Sequence, residues 1–330
     1  FHMSYKKVFI FFSCTEVNLK FRSLIEEYKK ISFKLFIRSD LGGSILFNIN
    51  YSKINFMRPD ISIIIPVFNA QDTLKTSIKS IINQKYKYIK PKIELILSID
   101  DNKKYEELTK TKSDNVKIKI IKTNKQGSGP GNARNIGIKI SRGNYIGFLD
   151  ADDSYSSEYI EEMLDLVKKK GVAIAPTHVF KNNKRIKVFK GNKNNILTIN
   201  DISDNPCSYH PMISRKRIKY FEERPSQDIY NLSKILNKSS ISIIKHGYYI
   251  LNLKENSLTR KKNFYHKLNQ AYKFYQIKSL KEKQIKIARQ FAIRRILNRK
   301  YKIWSKDNEN KSYYEFIEGL DNERAKNLCI

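Results

Sequence analysis

Short apolar runs recur along the middle of the chain. ISIII (61–65), IELILSI (93–99), VKIKII (116–121) and YIGFL (145–149) each last only a few residues. Continuous runs of this length predict parallel strands covered on both faces. Helical spacing fills the gaps. A helix near 71–84 places Leu74, Ile78, Ile81 and Ile82 on one face, and further helices are predicted near 103–112 and 131–141. The resulting βαβαβαβ order predicts an open, mostly parallel sheet flanked by helices. Ligands of such sheets bind beyond the carboxyl ends of the strands. The segments of interest are therefore Pro66–Ala70, Asp100–Asn102, Lys125–Asn135 and Asp150–Asp153.

The flanks read differently. Residues 4–57 hold strand-like KVFIFF (7–12), helical LKFRSLIEEYKKI (19–31), then strand-like FKLFIR (33–38) and ILFNI (45–49), with a turn at Gly42-Gly43. This predicts a small N-terminal α/β appendage, residues 1–57, whose role is not legible. Residues 58–255 form the central α/β domain and 256–330 a basic helical C-terminal region. There, QIKIARQFAIRRIL (284–297) places Ile285, Ala288, Phe291, Ala292 and Leu297 near one face.

Composition narrows the class. The 330 residues, 40% hydrophobic and 12% aromatic, suit a globular protein with a sizeable core. Apolar runs are too short to span a membrane, and no cleavable leader is evident. Cys14, Cys207 and Cys329 are too few and too scattered for a disulfide framework or a zinc cluster. A reduced, cytoplasmic location is expected. The formal net charge is +32, and residues 254–302 hold 16 Lys/Arg against only Glu255 and Glu282. Part of the charge is thus concentrated rather than spread by compositional drift. No nucleic-acid-binding module accompanies it, so nucleic acid is not the expected partner. An anionic membrane surface on the cytoplasmic face fits the 256–302 stretch, as does a solvated face or a contact in a homo-oligomer.

Four segments carry a more specific signal. IIIPVFNAQDTLKTSIKSIINQ (63–84), IDDN (99–102), GNARNIGIKISRGNYIGFLDADD (131–153) and SQDIYNL (226–232) occur in this order and at suitable spacing. Together they resemble the family 2 glycosyltransferases over about 58–260. The resemblance implies a GT-A (Rossmann-like) fold and inverting transfer of a sugar from a nucleotide donor. It points to a hexose or N-acetylhexosamine moved from a UDP-sugar to a bacterial surface glycan or lipid-linked saccharide.

The residue chemistry is consistent with this. A leaving diphosphate gathers negative charge that a divalent cation can absorb. Mg²⁺ or Mn²⁺ takes oxygen ligands, usually one or two carboxylates plus phosphate and water. Asp150 and Asp152 lie two apart and project to one side of an extended segment. By resemblance Asp152 ligates the metal, and Asp150 approaches the nucleotide sugar or joins Asp152 on the metal. Asp153 is equally suited to capping a helix. Asp101 is implied as an acceptor for the uracil N–H, with Asp100 structural. Pro66, Val67, Phe68 and Asn69 would line the base, although Phe68 also suits a core position. Gly127, Gly129 and Gly131 match no phosphate-loop spacing; they let the chain enter a helix presenting Asn132, Arg134 and Asn135. Arg134 suits a phosphate or one of the acids. The implied general base is Asp228, and Gln227 stands where the family has Glu. That departure leaves open an inactive, donor-binding relative. His178, His210 and His246 are candidate contacts or structural residues.

Overall fold

A computed structural model describes the strands at 9–12, 33–38 and 44–49, then residues 58–88, 90–111, 113–192, 194–204, 207, 209–254, 264–309 and 311–327. The chain forms two compact units, Phe1–Pro59 and Asp60–Ile330. In the first, β1 (Phe9–Phe12) pairs in parallel with β2 (Phe33–Arg38), which pairs antiparallel with β3 (Ser44–Ile49). The helix expected at 19–31 lies outside the described residues.

In the second unit the apolar runs become β4 (Ile61–Val67), β5 (Ile93–Ile99), β6 (Val116–Lys122) and β7 (Tyr145–Phe148), all parallel. Every residue of β5 is buried, as the unbroken run predicts. β7 also pairs antiparallel with β13 (Met212–Ser214), and β13 with β9 (Val172–Ala173). The sheet order is β6-β5-β4-β7-β13-β9. Helix α1 (Leu74–Ile82) buries Leu74, Ile78 and Ile81, and α2 (Pro130–Ile140) packs against β4 and β5. The segment 103–112 forms only a 3-10 turn, Glu106–Lys110. Its apolar residues are Tyr105 and Leu108, too few to offset the ordering of a longer helix.

Beyond β7 the chain builds a second sheet in the order β11-β10-β15-β8. These strands are β8 (Ser154–Tyr155), β10 (Thr177–Lys181), β11 (Lys184–Phe189) and β15 (Tyr249–Leu253). Short β12 (Ile196–Leu197) and β14 (Ile241–Ser242) pair with each other. The remaining helices are α3 (Tyr159–Lys170), α4 (Asp201–Asp204), α5 (Gln227–Leu236), α6 (Phe264–Lys281), α7 (Ile285–Trp304) and α8 (Tyr313–Asn327).

The basic helices share the core of this unit. Tyr275 of α6 stacks on Tyr230 of α5 at 4.4 Å and meets Phe291 of α7 at 5.0 Å. Of the α7 face that the sequence predicts, Ala288, Phe291 and Leu297 are buried, Ala292 is partly buried and Ile285 is not. Ile287, Ala288, Gln290, Phe291, Arg294, Leu297 and Asn298 point inward, whereas Ile285 is 63% exposed. Phe291 meets Tyr230 of α5 and Tyr272 and Tyr275 of α6, and Ile287 joins the same core cluster, which leaves Ile285 facing outward.

Candidate active site

Four strand ends and two helix starts converge on one side of the parallel sheet. After β4, Phe68 is 43% exposed, so its ring is not part of the core, whereas the Val67 side chain is fully buried in it. Asn69 has φ 50°, a left-handed conformation Asn tolerates. Its backbone N–H donates to Asp101 Oδ2 at 2.6 Å. Asp101 also accepts from the Tyr105 hydroxyl (3.0 Å) and the Lys103 backbone N–H (3.0 Å), tying the ends of β4 and β5 together.

Asp100 is structural, as expected. Its carboxylate accepts from Thr123 Oγ1 (2.7 Å), Ser128 N (3.1 Å), Ser128 Oγ (2.6 Å) and Gly129 N (2.8 Å). These bonds fold the 127–129 loop into the start of α2, where Gly129 caps the helix at φ 94°. Asn132 donates to Ser128 Oγ (2.8 Å), within that loop. Asn135 exchanges two hydrogen bonds with the Phe221 backbone and so has a structural task. At Gly131 a Cβ would come within 2.3 Å of the Glu222 carbonyl, so glycine is what lets α2 approach the segment leading into α5 this closely.

Arg134, only 3% exposed, is the hub. Its Nη2 donates to Asp150 Oδ1 at 2.5 Å. Gln227 meets complementary partners at both ends in one amide orientation: it accepts from Arg134 Nη1 (2.6 Å) and donates to the Arg224 carbonyl (2.8 Å). Arg134 therefore spans the acid after β7 and the first residue of α5. Phe221 covers its guanidinium at 5.6 Å. Burial alone would lower the Arg134 pKa, but the charges of Asp150 and then Asp228 raise it. Asp228 sits in the first turn of α5, near enough for its charge to reach both Arg134 and His210. Ser226, just before it, has φ 58°, a left-handed conformation that Ser rarely adopts.

The three acids after β7 have separate environments. Burial is the largest influence on Asp150 and works against ionisation, but the charges of Arg134 and His210 and the Arg134 hydrogen bond together outweigh it and hold the pKa below the usual range. His210 Nε2 lies 3.6 Å from Asp150 Oδ2, with its ring stacked on Tyr249. Burial keeps the His210 pKa down. Asp153 is buried, accepting from Tyr249 Oη (2.7 Å) and the Asn252 backbone N–H (2.9 Å). These bonds lock β8 to β15, so Asp153 serves the second sheet rather than a helix cap. Asp152 differs from both. Solvent reaches its side chain, yet surrounding protein removes enough water to raise its pKa, and Asp150's charge raises it further.

The fit to a divalent cation follows from these environments. Asp150 is already charge-paired to Arg134, whereas among the described residues Asp152 has its own backbone N–H and the charge of Lys254, without an ion pair, to offset it. A cation suits Asp152 as a single carboxylate ligand. Among the described residues no three His, Cys, Asp or Glu groups are arranged to hold a metal by themselves. The remaining positions would fall to phosphate oxygens and water.

Tyr105, Tyr249 and Asn252 were not assigned to this site by sequence reasoning, and His210 was named only as a candidate contact or structural residue. For His210, PCSYHP (206–211) gives no periodic or motif signal; only the path of the chain brings it to Asp150. His178 stacks on Tyr248 at 4.0 Å, and His246 is exposed with its backbone N–H on Glu162.

Comparison with known proteins agrees with this architecture. Staphylococcus aureus TarS (residues 1–349), in a crystal structure with UDP-GlcNAc, superposes with a TM-score of 0.53 at 16% identity, covering 64% of this chain and 65% of that one. That likeness shows the GT-A fold. The minor teichoic acid biosynthesis protein GgaA of Bacillus subtilis is 40% identical over 110 residues, 32% of this chain and 24% of GgaA. The Escherichia coli UDP-Glc:alpha-D-GlcNAc-diphosphoundecaprenol beta-1,3-glucosyltransferase WfgD is 30% identical over 113 residues, 34% of this chain and 43% of WfgD. The chain thus matches less than half the length of either curated relative. The family model "Glycosyl transferase family 2" matches residues 62–242, from β4 to β14 and so across every segment of the strand-end site. By that match, which takes in more than half of its length, the chain belongs to glycosyl transferase family 2.

Proposed function

We propose that this chain is an inverting glycosyltransferase that moves a hexose or N-acetylhexosamine from a UDP-sugar to a hydroxyl of a surface glycan or lipid-linked saccharide. The observation that carries this reading is the Arg134 bridge, which ties Asp150 to the helix that presents Asp228. The names of the relatives favour the same substrates: teichoic acid for GgaA, UDP-Glc and a diphosphoundecaprenol acceptor for WfgD, and bound UDP-GlcNAc for TarS.

In this reading the exposed ring of Phe68, with Pro66 and Asn69 beside it, supports the uracil. The buried Val67 shapes that segment from below. Asp101 keeps room for one base N–H, because a carboxylate offers about four acceptor sites and three are filled. Arg134 holds Asp150 toward the nucleotide sugar, and Asn132 lies at the α2 start beside it. Asp152 would hold Mn²⁺ or Mg²⁺, which when bound offsets the charge gathering on the diphosphate. Asp228 takes the acceptor hydroxyl proton as that oxygen attacks the anomeric carbon. The bond from that carbon to the diphosphate breaks, and its electron pair leaves with UDP.

The test is a panel of UDP-sugars with Mn²⁺ or Mg²⁺, reading UDP release and donor-induced thermal stabilisation. Asp228→Asn should lower kcat by about 10²- to 10⁴-fold, the usual contribution of a general base, with donor binding kept. Wild-type turnover in that variant would remove Asp228 from the mechanism. Donor binding without transfer to any acceptor would favour the inactive-relative reading that Gln227 raises.

A further inference from the structure

Helix α7 departs from ordinary amphipathic packing on both of its faces, although Ile287, Ala288, Phe291 and Leu297 point inward. Its inner face buries Gln290 (0% exposed), Arg294 (4%) and Asn298 (4%). Its outer face shows Ile285 (63%), Ile296 (58%) and Ile303 (63%). A solvated helix face would carry polar residues at these positions. At 3.6 residues per turn, 285, 289, 292, 296, 299 and 303 fall along one side of the helix, a line about 27 Å long. Ala292 lies within this stripe, and exposed Arg289, Arg299 and Lys300 are interleaved with the isoleucines. Ile277 and Leu280 at the end of α6 are also exposed, so five of the eight exposed large apolar side chains among the described residues belong to this hairpin. Exposed Lys281, Lys283 and Lys286 surround its turn.

We propose that the outer stripe of α7 docks this protein on an anionic lipid surface. The helix lies in the plane of the interface, its isoleucines enter the boundary between headgroups and acyl chains, and Arg289, Arg299 and Lys300 meet lipid phosphates. Apolar residues on a line with flanking cations are the pattern of interfacial helices, and anionic headgroups supply the counter-charge. A second copy of the chain is a poorer occupant. Pairing two such stripes would bring Arg289 and Arg299 against their own counterparts in a protein already at +32. An acidic protein would satisfy the cations but gives no reason for three isoleucines in register with them. The cations alone were legible in the sequence; the structure adds the apolar line between them.

The full chain carries its own probe. Trp304, the single tryptophan, follows Ile303 at the end of α7. The protein is mixed with phosphatidylcholine vesicles with and without phosphatidylglycerol, and binding is read by sedimentation. Trp304 emission and its quenching by brominated acyl chains report depth. The expected result is low-salt binding to the phosphatidylglycerol vesicles only, with a blue shift and quenching. Ile285→Ser/Ile296→Ser/Ile303→Ser should weaken partition at least about tenfold without lowering Tm, because these side chains face solvent. Arg289→Gln/Arg299→Gln/Lys300→Gln should weaken it roughly fivefold per cation removed and flatten its salt dependence. Three results would overturn the proposal: no wild-type binding to the anionic vesicles, binding unchanged by the serine substitutions, or a wild-type dimer that those substitutions dissociate. The assay uses neither donor nor acceptor, so its failure leaves the glycosyl-transfer reading standing.

Discussion

Two strand ends in this sheet each carry a pair of acids, and the chain treats them in opposite ways. After β5, Asp100 and Asp101 are held by neutral donors: hydroxyls and backbone N–H groups at 2.6–3.1 Å. After β7, Asp150 is paired with the buried cation Arg134, whereas among the described residues no cation forms an ion pair with Asp152. The first arrangement fixes backbone and leaves at most one acceptor site for a ligand. The second leaves a charge deficit, which is what a cation and a diphosphate together can fill. Acids at equivalent places in neighbouring strands thus do different work, set by their donors rather than by their position.

The largest expected break in this comparison is Asp152→Asn. It removes that charge and breaks no hydrogen bond described between the Asp152 side chain and another residue. If Asp152 holds the cation, kcat should fall by about 100- to 1,000-fold, the scale of losing one group that stabilises transition-state charge. Thermal unfolding should show no loss of stability. A comparable activity loss accompanied by a large fall in Tm would mean that Asp152 is structural and that the contrast with β5 is false.

A smaller effect separates the two acids of β5. Asp100 receives four hydrogen bonds, and an Asn there must turn its amide NH₂ toward donors. Asp100→Asn should cost about 1–3 kcal/mol of stability, measured by urea unfolding, because buried donors lose their acceptor. Asp101→Asn should cost a similar amount and should also raise KM for the UDP donor about tenfold, since only Asp101 has an acceptor site left for the base. Equal KM changes in the two variants would mean that Asp101 contacts no donor and is structural like its neighbour.

Much of this contrast was readable in the chain, and the failures have physical causes. The four parallel strands declared themselves because strands covered on both faces must be apolar throughout; 93–99 was matched residue for residue. Asp100 also took the structural place its setting suggested. Strands β8, β10, β11 and β15 gave a weaker signal, because several are two to six residues long and mix Lys, Arg, His and Asn with apolar positions. His210 reaches Asp150 only through tertiary folding. Gln227 looked like a defect in a Glu-Asp pair, yet its amide accepts from Arg134 as a carboxylate would, so the bridge survives without the charge. The predicted face of α7 held at Ala288, Phe291 and Leu297 and failed at Ile285, because a hydrophobic pattern assumes that isoleucine is buried and arginine is not, and Ile285 and Arg294 reverse it.

The smallest expected effect is in the pH dependence of stability, where the acids after β7 should pull in opposite directions. Asp150 is held below the usual carboxylate value: burial opposes ionisation, and Arg134 and His210 together overcome it. Its contribution is complete above about pH 4, the unfolded value, and is lost as pH falls through the folded one. Asp152 is raised, first by loss of solvent and then by Asp150's charge. The folded state therefore binds that proton more tightly than the unfolded chain. The resulting penalty is absent below about pH 4, grows as pH rises toward the folded value, and stays constant above it. Asp152→Asn lifts the penalty, so the metal-free variant should be more stable than wild type at pH 7 by a few tenths to about 1 kcal/mol, a figure kept small by the solvent exposure of the side chain. The gain should shrink to nothing near pH 3. Urea midpoints measured from pH 3 to pH 7 in a chelator decide it. A gain that is absent at pH 7 and grows toward acid would mean that Asp152, like Asp150, is already neutralised by the protein, and that the charge deficit belongs elsewhere.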